Sequence, residues 1–477
     1  MAGEEQASEK LRAYLRQLSP EARAMLMAEV ERGLQAGHDH LPAPDLLLEH
    51  LREVLRENED DPAPDRAVNP SRLFFVPIEP FLTDDESAAE PDGRVSRASL
   101  APLWDWIVTE IAPAEAKTFV ADVGRHLAAK DQGKADFAAR TFQDLVVRKL
   151  GDILQAAGKD DKARRRIAFR IGTARAQSDV VEFFTIMKNR DTLSAIGSRL
   201  PTRIRSAAGD QLDQIVAVID TAVARDKALI RYGLILVMNR MPATWHLVRV
   251  AVRAAQSDKA ERIAESAYGL ALSMVLTETE RTVRELVHHF RRGQMGRAIE
   301  SLKDVHEAVR GLRSEVNMSS GTGPARQLAA IRAGVADALK SDLDTIPGRV
   351  RRIIRIVPGK HLPAGAAIDQ GEVAEIEALL GFLAACKNYA SELALNEITL
   401  RVLSDLQSQL DNGSRSIIDV LRACEPGELP YRKAQMEAAI RFCAKILGDE
   451  FATVIARAAE VAVSSERKAA AKVAAKG

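Results

Sequence analysis

The sequence predicts an all-α protein: antiparallel helix pairs forming an irregular bundle or α-solenoid-like array, preceded by an acidic N-terminal helical hairpin and linker. Three observations predict it. Aromatic residues make up only 4% of a chain that is 46% hydrophobic and 28% charged, a balance that favours helices over sheets. From about residue 99 onward, apolar residues recur every three or four positions, the period of one helix face. Short polar or Pro/Gly stops separate the periodic segments, as helix ends require.

The front section, residues 1–58, reads as a helical hairpin. Ser19 precedes Pro20, a cap followed by a proline suited to a first helical turn, and Leu26, Val30 and Leu34 then recur up to Gly37. A second helix runs from Pro44 to Asn58 on Leu47, Leu48, Leu51, Val54 and Leu55. Residues 59–98 are rich in Asp, Glu, Pro and Ser and read as a linker. Inside it lies an apolar strip, residues 69–82, containing Leu73, Phe74, Phe75, Val76, Ile78, Phe81 and Leu82 among Pro70, Pro77 and Pro80. Prolines disfavour a helix interior, so the strip is expected to be extended. It either docks on the chain's own body or offers these seven residues to a partner.

A helical body is expected over 99–318, with helices at Leu100–Ile111, Ala114–Ala129, Ala135–Ala157, Asp161–Ala176, Ser178–Asn189, Asp210–Ala224, Lys227–Met238, Pro242–Ala255, Lys259–Leu276, Glu278–Arg292 and Gln294–Asn317. The C-terminal helical region is 324–463. It opens with a helix to about Leu343, followed by a Pro/Gly-marked turn region, Ile346–Gly371. From Gly371 to Asn412, Ile376, Leu379, Leu383, Cys386, Ala390 and Leu393 alternate steps of three and four, continued by Leu400, Leu403 and Leu410. This coiled-coil-like seam asks for a partner helix, in the same molecule or in a second copy, and the second case would make 376–410 a surface of self-association. A bend at Asn388 or Asn396 would instead make two helices. Helices at 429–447 and from 450 to 460 or beyond precede a frayed basic tail, 464–477. No period carries a tetratricopeptide or ankyrin signature.

Charge is asymmetric although the total is zero. Residues 1–98 hold 11 Lys+Arg against 21 Asp+Glu, net −10, so residues 99–477 carry +10. Cys386, Cys424 and Cys443 form no CxxC pair, which argues against a disulfide framework or zinc site and suits a reducing cytoplasm. No segment has the roughly 18 uncharged apolar residues of a membrane span.

Candidate chemistry is sparse. Glu285 and His288 sit one turn apart, as in half of a di-iron site, but no second Glu-x-x-His exists in the chain. His38, Asp39, His40, Asp45, Glu49 and His50 supply metal-binding atoms at a spacing that matches no established site. The Ser319–Pro324 loop lacks the Lys-Ser/Thr of a phosphate loop and reads as a stop between helices. Two basic clusters remain: Lys159 to Arg175, with Arg164, Arg165, Arg166 and Arg170, and Arg349 to Lys360, with Arg349, Arg351, Arg352 and Arg355. These eight arginines are the anion-binding candidates, with no aromatic residue expected beside either cluster to stack a base.

No catalytic residue, metal or cofactor is assigned. The expected function is a non-enzymatic helical scaffold or adaptor that binds other proteins, in the cytoplasm. Nucleic-acid binding through the arginine clusters is the less favoured alternative. An enzyme with a site assembled from distant helices is the last.

Overall fold

A computed structural model describes residues 69–84, 92–158, 160–205, 207–224, 226–319, 321–356, 366–425 and 427–474, together with single positions between 11 and 54; side chains are described as far as Ser464. The chain is all-α. It divides into two compact units, Met1–Arg190 and Asp191–Gly477.

Within the first unit, Leu15, Met27, Val30, Leu51 and Val54 bury one another in a small cluster of their own, with Leu11, Leu18, Leu26 and Leu47 against it. The rest of this unit includes α1 (Pro70–Phe75), α2 (Leu100–Trp106), continued by a π-helical turn Ile107–Ile111, α3 (Pro113–Ala128), α4 (Gln132–Ala157), α5 (Asp161–Ile171) and α6 (Ala176–Lys188). Two-residue strands β1 (Leu82–Thr83) and β2 (Val95–Ser96) pair in parallel. Local signals set the ends. The Asp131 side chain accepts from the Lys134 amide to open α4, Asp160 accepts from the Lys162 amide to open α5, and Gly172 closes α5 at φ 72°, a conformation glycine adopts at no steric cost. α5 therefore stops at Ile171, five residues before the expected end.

The apolar strip is not extended. Pro70 stands in the first turn of α1, where its missing N–H removes no bond, and the Asn69 side chain accepts from the Arg72 amide. Pro77 likewise opens the 3₁₀ turn Val76–Phe81 that follows, with Pro80 tolerated inside it. The prolines thus start helical turns rather than prevent them.

The second unit contains α7 (Arg190–Arg199), α8 (Asp210–Val223), α9 (Ile230–Met238), α10 (Leu247–Ala255), α11 (Ala260–Glu265), α12 (Gly269–Arg291), α13 (Met295–Glu315), α14 (Gly323–Ile354), α15 (Gln370–Tyr389), α16 (Asn396–Leu421), α17 (Leu429–Ile446) and α18 (Asp449–Ala474). From α12 to α16, each helix packs on the helix two places further along the chain, a stacking in which each layer covers the apolar stripe of the one before. Gly311 in α13 permits one close contact: a Cβ there would lie 2.3 Å from Trp245 Cε3.

Three further boundaries differ from expectation, and the choice between one helix and two over 371–412 is decided. A break at Ser266–Tyr268 divides the expected Lys259–Leu276 helix, and its second part runs on through Glu278 as α12. The expected turn at Ile346 is helix: α14 continues through Pro347 to Ile354 because Leu339, Leu343, Ile346, Val350 and Ile353 keep one buried stripe unbroken, which outweighs the lost hydrogen bond. The 371–412 segment bends between Tyr389 and Asn396, giving α15 and α16. The helix at the C-terminal tail reaches Ala474.

Candidate functional site

The strip is spent on the first unit's own core. Phe74 is fully buried, with the rings of Phe75, Trp104, Phe119, Phe142 and Phe183 centred 5.1 to 6.5 Å away. Gln143 Nε2 donates to the Phe74 carbonyl at 2.9 Å. Leu73, Phe75, Ile78 and Phe81 are buried as well, Leu82 is half-buried, and only Val76, 49% exposed, faces water.

Beside this core, a polar clasp seats the start of α6. Arg175, whose side chain is 1% exposed, bonds Asp92 at 2.9 Å and Asp179 at 3.3 Å. Burial alone would lower the guanidinium's pKa, but the two carboxylates reverse the balance and raise it. Ser99 Oγ donates to Asp179 at 2.6 Å and lies 2.8 Å from Thr173 Oγ1, while Glu182 accepts from the Gly93 amide. A hydroxyl on a carboxylate is the start of a nucleophile–base pair, yet Ser99 and Asp179 are both fully buried. Closed off from solvent, the network fastens residues 92–99 to α6. Its bonded members lie up to 89 residues apart, so no spacing motif reveals them.

α6 in turn forms one wall of an open groove. The C-terminal half of α4 and the inner side of α5 form the others, around about 740 Å³. Leu154, Ile167, Val180 and Phe184 make an apolar lining, Val181 stands 45% exposed at the edge, and Arg164 is the one charged residue in the lining. Gly151 shapes the floor: its missing Cβ would sit 3.3 Å from the Phe184 ring, so the ring lies almost against the α4 backbone. Such a trough accepts the apolar face of a helix.

The arginine clusters are partly neutralised. Arg164 pairs with Asp161 at 3.2 Å, Arg170 with Asp105 and Glu110, Arg349 with Glu375 and Arg352 with Glu372. Arg165, Arg166, Arg351 and Arg355 have no carboxylate partner among the described residues. Arg351 and Arg355 line a polar pocket of about 470 Å³ with Ser408, Asn412 and Ser416. One expectation is corrected here. An aromatic side chain does accompany the first cluster: Phe169, inside it, is 90% exposed.

Other candidates resolve into structure. Glu285 pairs with Arg281, and His288 is exposed. Thr322 caps α14 and Pro324 stands in its first turn, so the Ser319–Pro324 loop is a helix start. Among the described residues no cluster of His, Cys, Asp and Glu is placed to hold a metal, and no helix is long and apolar enough to cross a membrane; His38, Asp39, His40, Asp45 and Glu49 lie outside the described residues. The seam residues Ile376, Leu379, Leu383 and Cys386 are buried inside the second unit, where α15 packs against α13 and α17. Leu400 alone stands out, at 62% exposed. No disulfide joins the three cysteines, all of them buried, and burial pushes the Cys386 thiol up to about 12, which lowers its reactivity.

No protein family matches the chain, and no curated protein or solved structure is significantly similar to it.

Proposed function

We propose that the protein is a non-enzymatic helical scaffold that binds other proteins, and that the α4–α5–α6 groove receives an amphipathic helix of a partner. The observation that supports this reading is the groove itself: an apolar trough walled by three helices and left open, in a unit whose other large apolar side chains are mostly packed away. Arg164 at the groove favours a partner helix carrying an acidic residue beside its apolar stripe. Each leucine-sized anchor buried there contributes about 1.5–3 kcal/mol, so two or three anchors suffice for a reversible complex.

A photoreactive amino acid at Val181 of the full chain, irradiated in the native cells, is expected to crosslink a discrete protein. A synthetic peptide of the crosslinked segment is then titrated against wild type, Val181→Arg and Arg164→Glu. The reading expects Val181→Arg to weaken binding at least about tenfold with the helical circular dichroism unchanged, and Arg164→Glu to weaken an acidic peptide more than its amide counterpart. Equal affinity for all three proteins would refute it.

A further inference from the structure

The outer face of α5 takes no part in the groove. Ile167 and Ile171 point inward and are buried. Residues on a helix advance by about 100° each, so Lys162, Arg165, Arg166 and Phe169, at i, i+3, i+4 and i+7, share the opposite face. All four are exposed, and Phe169 at 90% is the most exposed of the large apolar side chains described.

The cations on this face are uncompensated. The carboxylates that touch α5 are engaged elsewhere: Asp160 accepts from the Lys162 amide at the helix cap, Asp161 pairs with Arg164, and Asp105 and Glu110 hold Arg170. Lys162, Arg165 and Arg166 have no carboxylate partner among the described residues. The face therefore combines three free positive charges with one ring that water surrounds almost completely.

We propose that the outer face of α5 docks the protein on an anionic lipid surface, with Phe169 entering the headgroup–acyl boundary and Lys162, Arg165 and Arg166 lying over the negative headgroups. Charge selects an anionic partner, and the shape selects a bilayer over a nucleic acid. Single-stranded nucleic acid is held in a groove with several aromatic platforms, whereas this ring stands alone on the convex side of a helix. A bilayer needs no groove: it receives the ring at any lateral position, and each cation gains from the surface potential. One ring and three charges give weak, reversible attachment, comparable to that of a single acyl chain.

The test uses the full chain in flotation with vesicles of phosphatidylcholine alone and of phosphatidylcholine mixed with phosphatidylserine. Binding is expected only to the mixed vesicles and is lost near 1 M salt, where the screening length falls to about 3 Å. Removing each cation, as in Arg165→Gln or Arg166→Gln, is expected to weaken binding about fivefold, and Phe169→Ser about tenfold or more. Phe169→Trp restores binding and its emission shifts to the blue on vesicles, a signal that a misfolded variant would not produce. The groove variant Val181→Arg leaves vesicle binding unchanged, so this proposal and the protein-partner reading fail separately. Three results would overturn it: equal binding to both vesicles, no dependence on these four residues, or oligonucleotide binding with this residue dependence in place of vesicle binding.

Discussion

Replacing Phe74 by alanine decides whether the 69–82 strip is core. The side chain is fully buried, and five aromatic rings surround it at centroid distances of 5.1 to 6.5 Å. Truncating a buried phenylalanine costs about 3–5 kcal/mol through lost transfer energy and the cavity left behind. Collapse of that cavity is restricted. Phe119 and Phe142 are already stacked on each other at 4.6 Å, and the Gln143 amide holds the Phe74 carbonyl. A loss of about 4 kcal/mol is therefore expected, a large share of the about 5–15 kcal/mol that keeps a domain folded. Val76→Ala, next in the strip but 49% exposed, should cost under about 0.5 kcal/mol. Urea unfolding followed by hydrogen exchange in peptides around Trp104 and Phe142 reads the first unit separately from the second. With a slope of about 2 kcal/mol per molar urea, the Phe74→Ala midpoint should fall by about 2 M. A fall under about 0.5 M, or an equal fall for Val76→Ala, would refute the reasoning.

Two further outcomes concern the second unit. Gly311→Ala should destabilise by about 2 kcal/mol, because the new methyl must displace the Trp245 ring 2.3 Å away and overpacking exceeds the helix-propensity gain; Gly381→Ala, in α15 with open space around it, should stabilise by up to about 1 kcal/mol, and thermal melts giving both the same sign would contradict the packing. Burial, and then the neighbouring Arg249, lower the pKa of His246 below its ordinary 6.5, so in the window just below pH 6.5 the unfolded chain binds a proton the folded chain refuses. Stability should accordingly fall as pH drops through 6.5 toward the lower folded value, and His246→Gln should flatten that part of the profile; an unchanged slope in urea melts between pH 7.5 and 5.5 would show that His246 does not carry it.

Helix identity was legible where it depended on local spacing. The stripes in Asp210–Val223 and Met295–Glu315 repeat every three or four residues, and caps such as Asp160 stand next to the helices they open. Proline was misread twice. Its local cost is not the whole account: Pro70 and Pro77 fall in first turns, where no donor is needed and the cost does not apply, whereas inside α14 the cost of Pro347 applies and the buried stripe outweighs it. Phe169 was missed beside the first arginine cluster although its i+7 relation to Lys162 can be counted along the chain; its exposure depends on which side of α5 meets α4 and α6.

By itself, then, the sequence determined the all-α class, the helices and most of their ends, since each follows from interactions within a few residues. Only the tertiary structure decided which apolar segments are interior and which charges are free. Phe74 is closed in by rings from residues 75 to 183, Arg175 by carboxylates at positions 92 and 179, and Arg349 by Glu375. Burial and ion pairing depend on which helix lies alongside, and that choice rests on the summed packing of whole faces rather than on any one spacing. The same packing that turned the expected docking strip into core left the α4–α5–α6 trough and the outer face of α5 open.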